Sequence, residues 1–223
     1  SPAAASSPAA PSDSPTSAAA APATPADEAP AAESGSGTAF TTLATGRVIP
    51  RTAFGVHPGY RTPGVPAGSW RLWDTGTDWC TLQPKSGRDW RTKWLDEALA
   101  RAKSAGVRDL VVVLGCTPSW AQRAPRNAAE RAAAKLDLKG PNTSAPPRTT
   151  ALFSSYVKKL AGYIKPRAAK GTAVWFAVWN EASLSSFWRG TPAEMAGLTA
   201  ATRTAVRSVS TSYRVVAAST TLR

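Results

Sequence analysis

Trp179-Asn180-Glu181 closes the apolar run Ala173-Val174-Trp175-Phe176-Ala177-Val178-Trp179 and sets an amide beside a carboxylate at the end of a predicted strand. A carboxyl group can give up and take back a proton, and the neighbouring amide can hold a hydroxyl by a hydrogen bond. In parallel α/β folds the C-terminal ends of the strands form the rim where such chemistry is built. After Glu181 the only acid in the chain is Glu194, so few carboxylates are left to work with it from later strands.

The elements that must carry these residues follow from hydrophobic periodicity. Phe54-Gly55-Val56-His57 reads as a short strand, and Pro58, Gly59, Pro63, Gly64 and Pro66 exclude regular structure after it. Trp70 to Asp74 alternates as a second strand. Asp89 is placed to cap a helix with Trp90, Trp94, Ala98, Leu99 and Ala102 on its apolar face, ended by Gly106. Asp109 to Gly115 is a third strand, apolar enough to be buried on both faces. A long polar loop with a short helix near Ala128 to Lys135 leads to a helix from about Ala151 that Pro166 stops. Ala173 to Trp179 is the fourth strand. Thr191-Pro192-Ala193-Glu194 is a capping box with proline at the first helical position, and Arg214 to Ser219 is a fifth strand.

Composition divides the chain. The first 37 residues hold 14 Ala, 8 Ser and 7 Pro and no aromatic or β-branched aliphatic residue, too little apolar surface to offset the entropy of ordering. Residues 1–38 therefore read as a disordered tail or linker, either a semi-stiff spacer suited to association with a wall or surface or an unselected low-complexity tail, and 39–223 as the domain. The tail's four acids have no basic counterpart, which leaves 27 basic against 10 acidic residues in the domain, a formal +17. That excess favours polyanions, but the charges are scattered along the sequence without a nucleic-acid signature, so no nucleic acid is expected. The longest apolar run is seven residues, too short for a transmembrane segment. One histidine and no CxxC or HxxxH spacing argue against a metal, and no cofactor is expected. Cys80 and Cys116 follow neighbouring predicted strands, and form either a disulfide across one rim or two buried thiols. The cysteines and the tail favour a secreted or cell-surface location.

Alternation of strands and helices argues for a parallel α/β architecture. Five strands occupy the 185 residues after the tail, whereas a closed eight-stranded barrel takes about 250, so the expected fold is an incomplete (β/α)8 TIM barrel holding about strands one to five.

Phe54-Gly55-Val56-His57, Gly68-Ser69-Trp70-Arg71-Leu72-Trp73-Asp74 with Trp79, Thr117-Pro118-Ser119-Trp120-Ala121, Pro146-Pro147 and Val178-Trp179-Asn180-Glu181 occur in this order. Over about residues 53 to 221 this set resembles the retaining β/α-barrel glycosidases of the superfamily that includes families 5 and 39, nearest to family 39-like members. The resemblance implies that Glu181 is the acid/base, which would need a raised pKa, and that Asn180 binds the sugar 2-hydroxyl. It places Arg71 where an arginine orients the nucleophile, with pairing to Asp74 as the alternative, and His57 where a first-strand residue can touch the sugar. The nucleophile implied by the resemblance is a glutamate at the seventh strand, beyond this chain. Asp74 and Asp78 follow the second strand and do not match it.

Nine tryptophans are many for such a domain. Trp73, Trp79, Trp120, Trp179 and Trp188 fall at or just after predicted strand ends, where indole faces can stack on sugar rings. Trp90, Trp94 and Trp175 have the spacing of core residues. The expectation is a retaining O-glycosidase acting on a poly- or oligosaccharide, the chain truncated before the nucleophile strand and inactive in isolation. Two alternatives are a non-catalytic carbohydrate-binding derivative and a basic surface protein that binds polyanions.

Overall fold

A computed structural model describes residues 41–42, 48–137, 140 and 142–221. The predicted tail, residues 1–38, lies outside the described residues. Two short strands, β1 (Thr41–Thr42) and β2 (Val48–Ile49), pair antiparallel. Five strands then form one parallel sheet in chain order: β3 (Gly55–Val56), β4 (Ser69–Leu72), β5 (Asp109–Val113), β6 (Ala173–Ala177) and β7 (Arg214–Val216). The described sheet is open, with β3 and β7 as its edges, and helices flank it. It is a mixed α/β fold whose strand order is compatible with part of a barrel.

Strand alternation decides what the sheet buries. Leu72, Leu110, Val112, Val174 and Phe176 turn to one side, where they join Leu95 and Leu99 of α2 (Lys93–Ser104), Phe153, Val157 and Leu160 of α4 (Thr150–Ile164), and Leu198 and Val206 of α5 (Pro192–Arg207). The opposite face carries a smaller cluster of Trp73, Val113 and Ala177 packed by Val111 and Phe187. The capping box at α5 forms as predicted: Thr191 Oγ1 accepts from the Glu194 N–H at 3.1 Å, and Glu194 Oε2 accepts from the Thr191 N–H at 2.6 Å. The short helix near Ala128 is α3 (Ala128–Ala134), capped by Asn127.

Several sequence expectations shift. Asp89 does not cap α2; it pairs with Arg91 at 3.3 Å, and the helix starts three residues later with Thr92 at its N-cap. The buried stripe therefore rotates to Leu95, Ala98, Leu99 and Ala102, and Trp94 is left 41% exposed, edge-on to Tyr60 at 5.1 Å. Gly76, at φ +69°, packs against Trp94 so closely that an added Cβ would come within 2.8 Å of the ring. Trp90 does pack against the core, whereas Trp175 lies half-buried on the opposite face of the sheet, its Nε1 donating to Asp109 Oδ1 at 3.1 Å and its ring under the Arg214 guanidinium. The one-turn helix α1 (Trp79–Leu82) has no periodicity in the sequence; Asp78 creates it by accepting from the Thr81 N–H at 3.0 Å.

The described sheet leaves the outer edge of β7 unpaired, with Val216 41% exposed, beside an apolar groove of about 980 Å³ between α5 and β7. Unpaired strand edges and uncovered apolar surface promote association. Residues 39–223 expressed alone should self-associate in sedimentation velocity; a clean monomer at micromolar concentration would contradict this.

Candidate active site

Because Trp70 and Leu72 turn into the core, Arg71 between them must project from the other face of the sheet. Two strands away, β6 ends at Ala177, and Val178 and Trp179 are still fully packed when the chain reaches Asn180, itself buried. Arg71 Nη2 donates to Asn180 Oδ1 at 2.7 Å, and Asn180 Nδ2 donates to Glu181 Oε2 at 3.2 Å. The three residues thus form one line of hydrogen bonds across the C-terminal ends of β4 and β6. Half-burial lowers the Arg71 pKa, and the charges of Glu181 and Asp74 oppose that shift. An arginine stays protonated nonetheless, so the amide is polarised from one side by a fixed cation.

Glu181 is held from the opposite direction by the segment after β7. Its backbone has φ +43°, in the left-handed region that a non-glycine residue enters at a cost. The Glu181 N–H donates to Ser219 Oγ at 2.9 Å, and the Ala182 N–H donates to the Ser219 carbonyl at 2.8 Å. Thr221 Oγ1 donates to Glu181 Oε1 at 2.8 Å. Both carboxylate oxygens accept hydrogen bonds, so the Glu181 carboxylate is oriented by side chains from two strand ends. Nothing in the sequence marked Ser219 or Thr221, since they lie 38 and 40 residues away and contribute only a hydroxyl each.

The remaining predicted site residues divide. His57 is exposed and its Nε2 donates to the Trp73 main-chain carbonyl, which brings it to the end of β4. Trp73 is buried against Phe187 on the site face of the sheet. The expected wall of indole faces is not what the structure shows. Trp79 lies wholly in the core, stacked on Tyr156 at 5.0 Å. Trp179 is 1% exposed, donates Nε1 to the Phe187 carbonyl at 2.6 Å and meets the edge of the buried Trp188. Gly115 allows Trp179 this depth, because a Cβ there would come within 2.5 Å of the ring. Of these five only Trp120 keeps partial exposure, and its Nε1 donates to the Gln83 carbonyl at 2.6 Å. Trp79, Trp179 and Trp188 join the main core, and Trp73 the smaller cluster on the opposite face.

Cys80 and Cys116 are joined as a disulfide, Cα atoms 5.8 Å apart, tying α1 to the segment after β5. Closing a loop over 36 residues removes chain entropy equivalent to about 3.5–4 kcal/mol. Reduction followed by alkylation should lower the melting temperature by about 10 °C, and native protein should resist alkylation until reduced. A second tether was invisible in the sequence. Asp137 and Arg189 form a buried ion pair, and the Asp137 carboxylate also accepts from the Ser144 N–H at 2.8 Å and Ser144 Oγ at 3.0 Å. Arg189 Nη2 donates to Asn142 Oδ1 at 2.5 Å. The pair binds the long segment after β5 to the one that follows Glu181.

No protein-family model matches the chain, and no curated protein sequence matches it. Among solved structures, a glucosidase from Croceicoccus marinus aligns at a TM-score of 0.47 with 12% identity, covering 70% of this chain. The chain spans 31% of that enzyme's length. A likeness of that size leaves function to the geometry of the site.

Proposed function

We propose that the chain supplies the acid/base side of a retaining glycoside hydrolase site acting on a poly- or oligosaccharide. The observation that carries this reading is the line Arg71 to Asn180 to Glu181, with bonds of 2.7 and 3.2 Å. Glu181 protonates the leaving oxygen in the first step and activates water in the second. Asn180, polarised by Arg71, holds the sugar 2-hydroxyl, a contact that strengthens as the oxocarbenium-like transition state forms. His57 contacts the sugar from the first strand of the sheet. Retention also needs a nucleophilic carboxylate about 5–5.5 Å from Glu181, and the reading requires it from outside the described residues. Asp78 does not serve, because its Oδ1 caps α1. The disulfide fits a secreted or cell-surface protein.

The role of Asn180 gives the test. In the full-length protein, Asn180→Ala should lower kcat on ordinary aryl glycosides about a hundredfold, the rate equivalent of about 2.7 kcal/mol. On the matching 2-deoxy glycosides, which have no hydroxyl to hold, the variant should turn over at nearly the unmodified rate. An equal loss on both substrates would reject the contact.

A further inference from the structure

The basic residues that look scattered in the sequence are gathered by the fold. A parallel sheet with crossover helices brings every strand start and every helix C-terminus to one end of the domain. Three of the segments at that end, which also holds the starts of β3 and β4, are residues 101–109, 164–173 and 206–214. Together they carry eight Lys or Arg and one acid, Asp109. Three of the cations are engaged: Arg101 pairs with Glu97, Arg167 with Asp96, and Arg214 lies over the Trp175 ring. Lys103, Arg108, Lys165, Lys170 and Arg207 are exposed. Asp109 accepts from Trp175 Nε1 and so turns toward the sheet.

Contacts link the segments that carry these five charges. Arg108 Nη1 lies 3.7 Å from where a Cβ on Gly171 would stand, next to Lys170. Lys103 lines the same small cavity as Ala168, Ala169 and Thr172. Lys165 Nζ donates to the Val209 carbonyl at 2.7 Å, two residues beyond Arg207. Complementing a helix dipole accounts for Lys103 and Arg207 in the last turns of α2 and α5. It does not account for Arg108 and Lys170, which precede strands. Other acids lie at the other end: Asp74, Asp78 and Glu181 follow strands, and Glu130 and Glu194 lie in the first turns of helices, while Asp96 and Glu97 reach Arg167 and Arg101 on the basic face.

We propose that this strand-start face docks on a planar anionic surface, a bilayer rich in acidic phospholipid, leaving the rim with Glu181 directed away from it. The array favours a plane over a linear polyanion. The cations sit on separate turns between parallel elements, and the cavity on this face is a small one walled by Leu99, Val107 and Leu110, not a groove that could hold a chain. The proposal is independent of the hydrolase reading, and its test needs no turnover.

The test is co-sedimentation of the 223-residue protein with phosphatidylglycerol vesicles and with phosphatidylcholine vesicles. A cation near an acidic bilayer is worth about a fivefold change in partitioning, and the effect is screened within about 10 Å at 0.1 M salt. The protein should pellet with phosphatidylglycerol alone and be released by about 0.5 M salt. Lys103→Glu/Lys170→Glu should cut partitioning at least about a hundredfold, while Lys85→Glu/Arg88→Glu, an equal charge change in the segment after α1, should leave most of it. Circular dichroism checks folding, and Lys170→Glu/Arg207→Glu gives the same readout should the first variant fail to fold. Equal losses in both pairs, no binding to phosphatidylglycerol, or binding to heparin without binding to vesicles would each overturn the proposal.

Discussion

Asp137→Ala should destabilise the domain by about 3–5 kcal/mol, because it strands a guanidinium that is almost wholly buried. The side chains of Arg189 and Asp137 are 8% and 1% exposed, and the carboxylate also serves both the N–H and the hydroxyl of Ser144. Removing the carboxylate leaves three donors without a partner, and a loss of that size is a large part of the stability of an ordinary domain. Arg189→Met should cost a similar amount for the mirror-image reason. The double replacement Asp137→Leu/Arg189→Met should cost well under the sum of the two, since an apolar pair has no desolvated charge to satisfy. Urea unfolding of the four proteins reads the coupling directly. Single-variant losses below about 1 kcal/mol would mean that the pair is solvated and behaves as a surface ion pair.

The same pair shows where reading the sequence stops. Strand and helix periodicity placed β4, β5, β6, α4 and α5 to within a few residues, and Thr191 with Glu194 announced the start of α5. Local pattern suffices for these because each element is specified by neighbours three or four positions away. Asp137 and Arg189 are 52 residues apart, in segments with no periodicity, and neither side chain differs in type from any solvated acid or arginine. Ser219 and Thr221 were equally silent. The tryptophans failed for a different reason: position at a strand end was legible, but the direction of the ring was not. Trp79 and Trp179 turn toward α4, where Phe153 and Tyr156 meet them, because burying an indole against other rings gains more than leaving it on the rim. Asn180 and Glu181 were legible because their types and adjacency, at the end of an apolar strand, carry chemical meaning that packing alone does not require.

Ser219 should matter through geometry rather than contact with substrate. Its hydroxyl and carbonyl accept from the Glu181 and Ala182 N–H groups, which fixes the left-handed turn that aims the Glu181 carboxylate. The segment after β7 thus positions the Glu181 carboxylate.

The largest functional effect should come from Glu181 itself. General acid catalysis contributes about 10²–10⁴-fold when the departing oxygen needs a proton, and almost nothing when the leaving group is already a stable anion. In the full-length protein, Glu181→Gln keeps the size of the side chain and one acceptor for Asn180 Nδ2, its amide NH2 can donate to Thr221 Oγ1 in place of accepting from it, and it can no longer transfer a proton. The decisive measurement is the first-order rate of glycosyl transfer to the enzyme, compared in the variant and the unmodified protein across aryl glycosides of graded leaving-group pKa. The account predicts near-normal rates with dinitrophenyl glycosides and a loss growing to about 10²–10⁴-fold with unactivated alkyl glycosides. A loss of the same size at every leaving group would contradict the assignment of Glu181 as the acid/base.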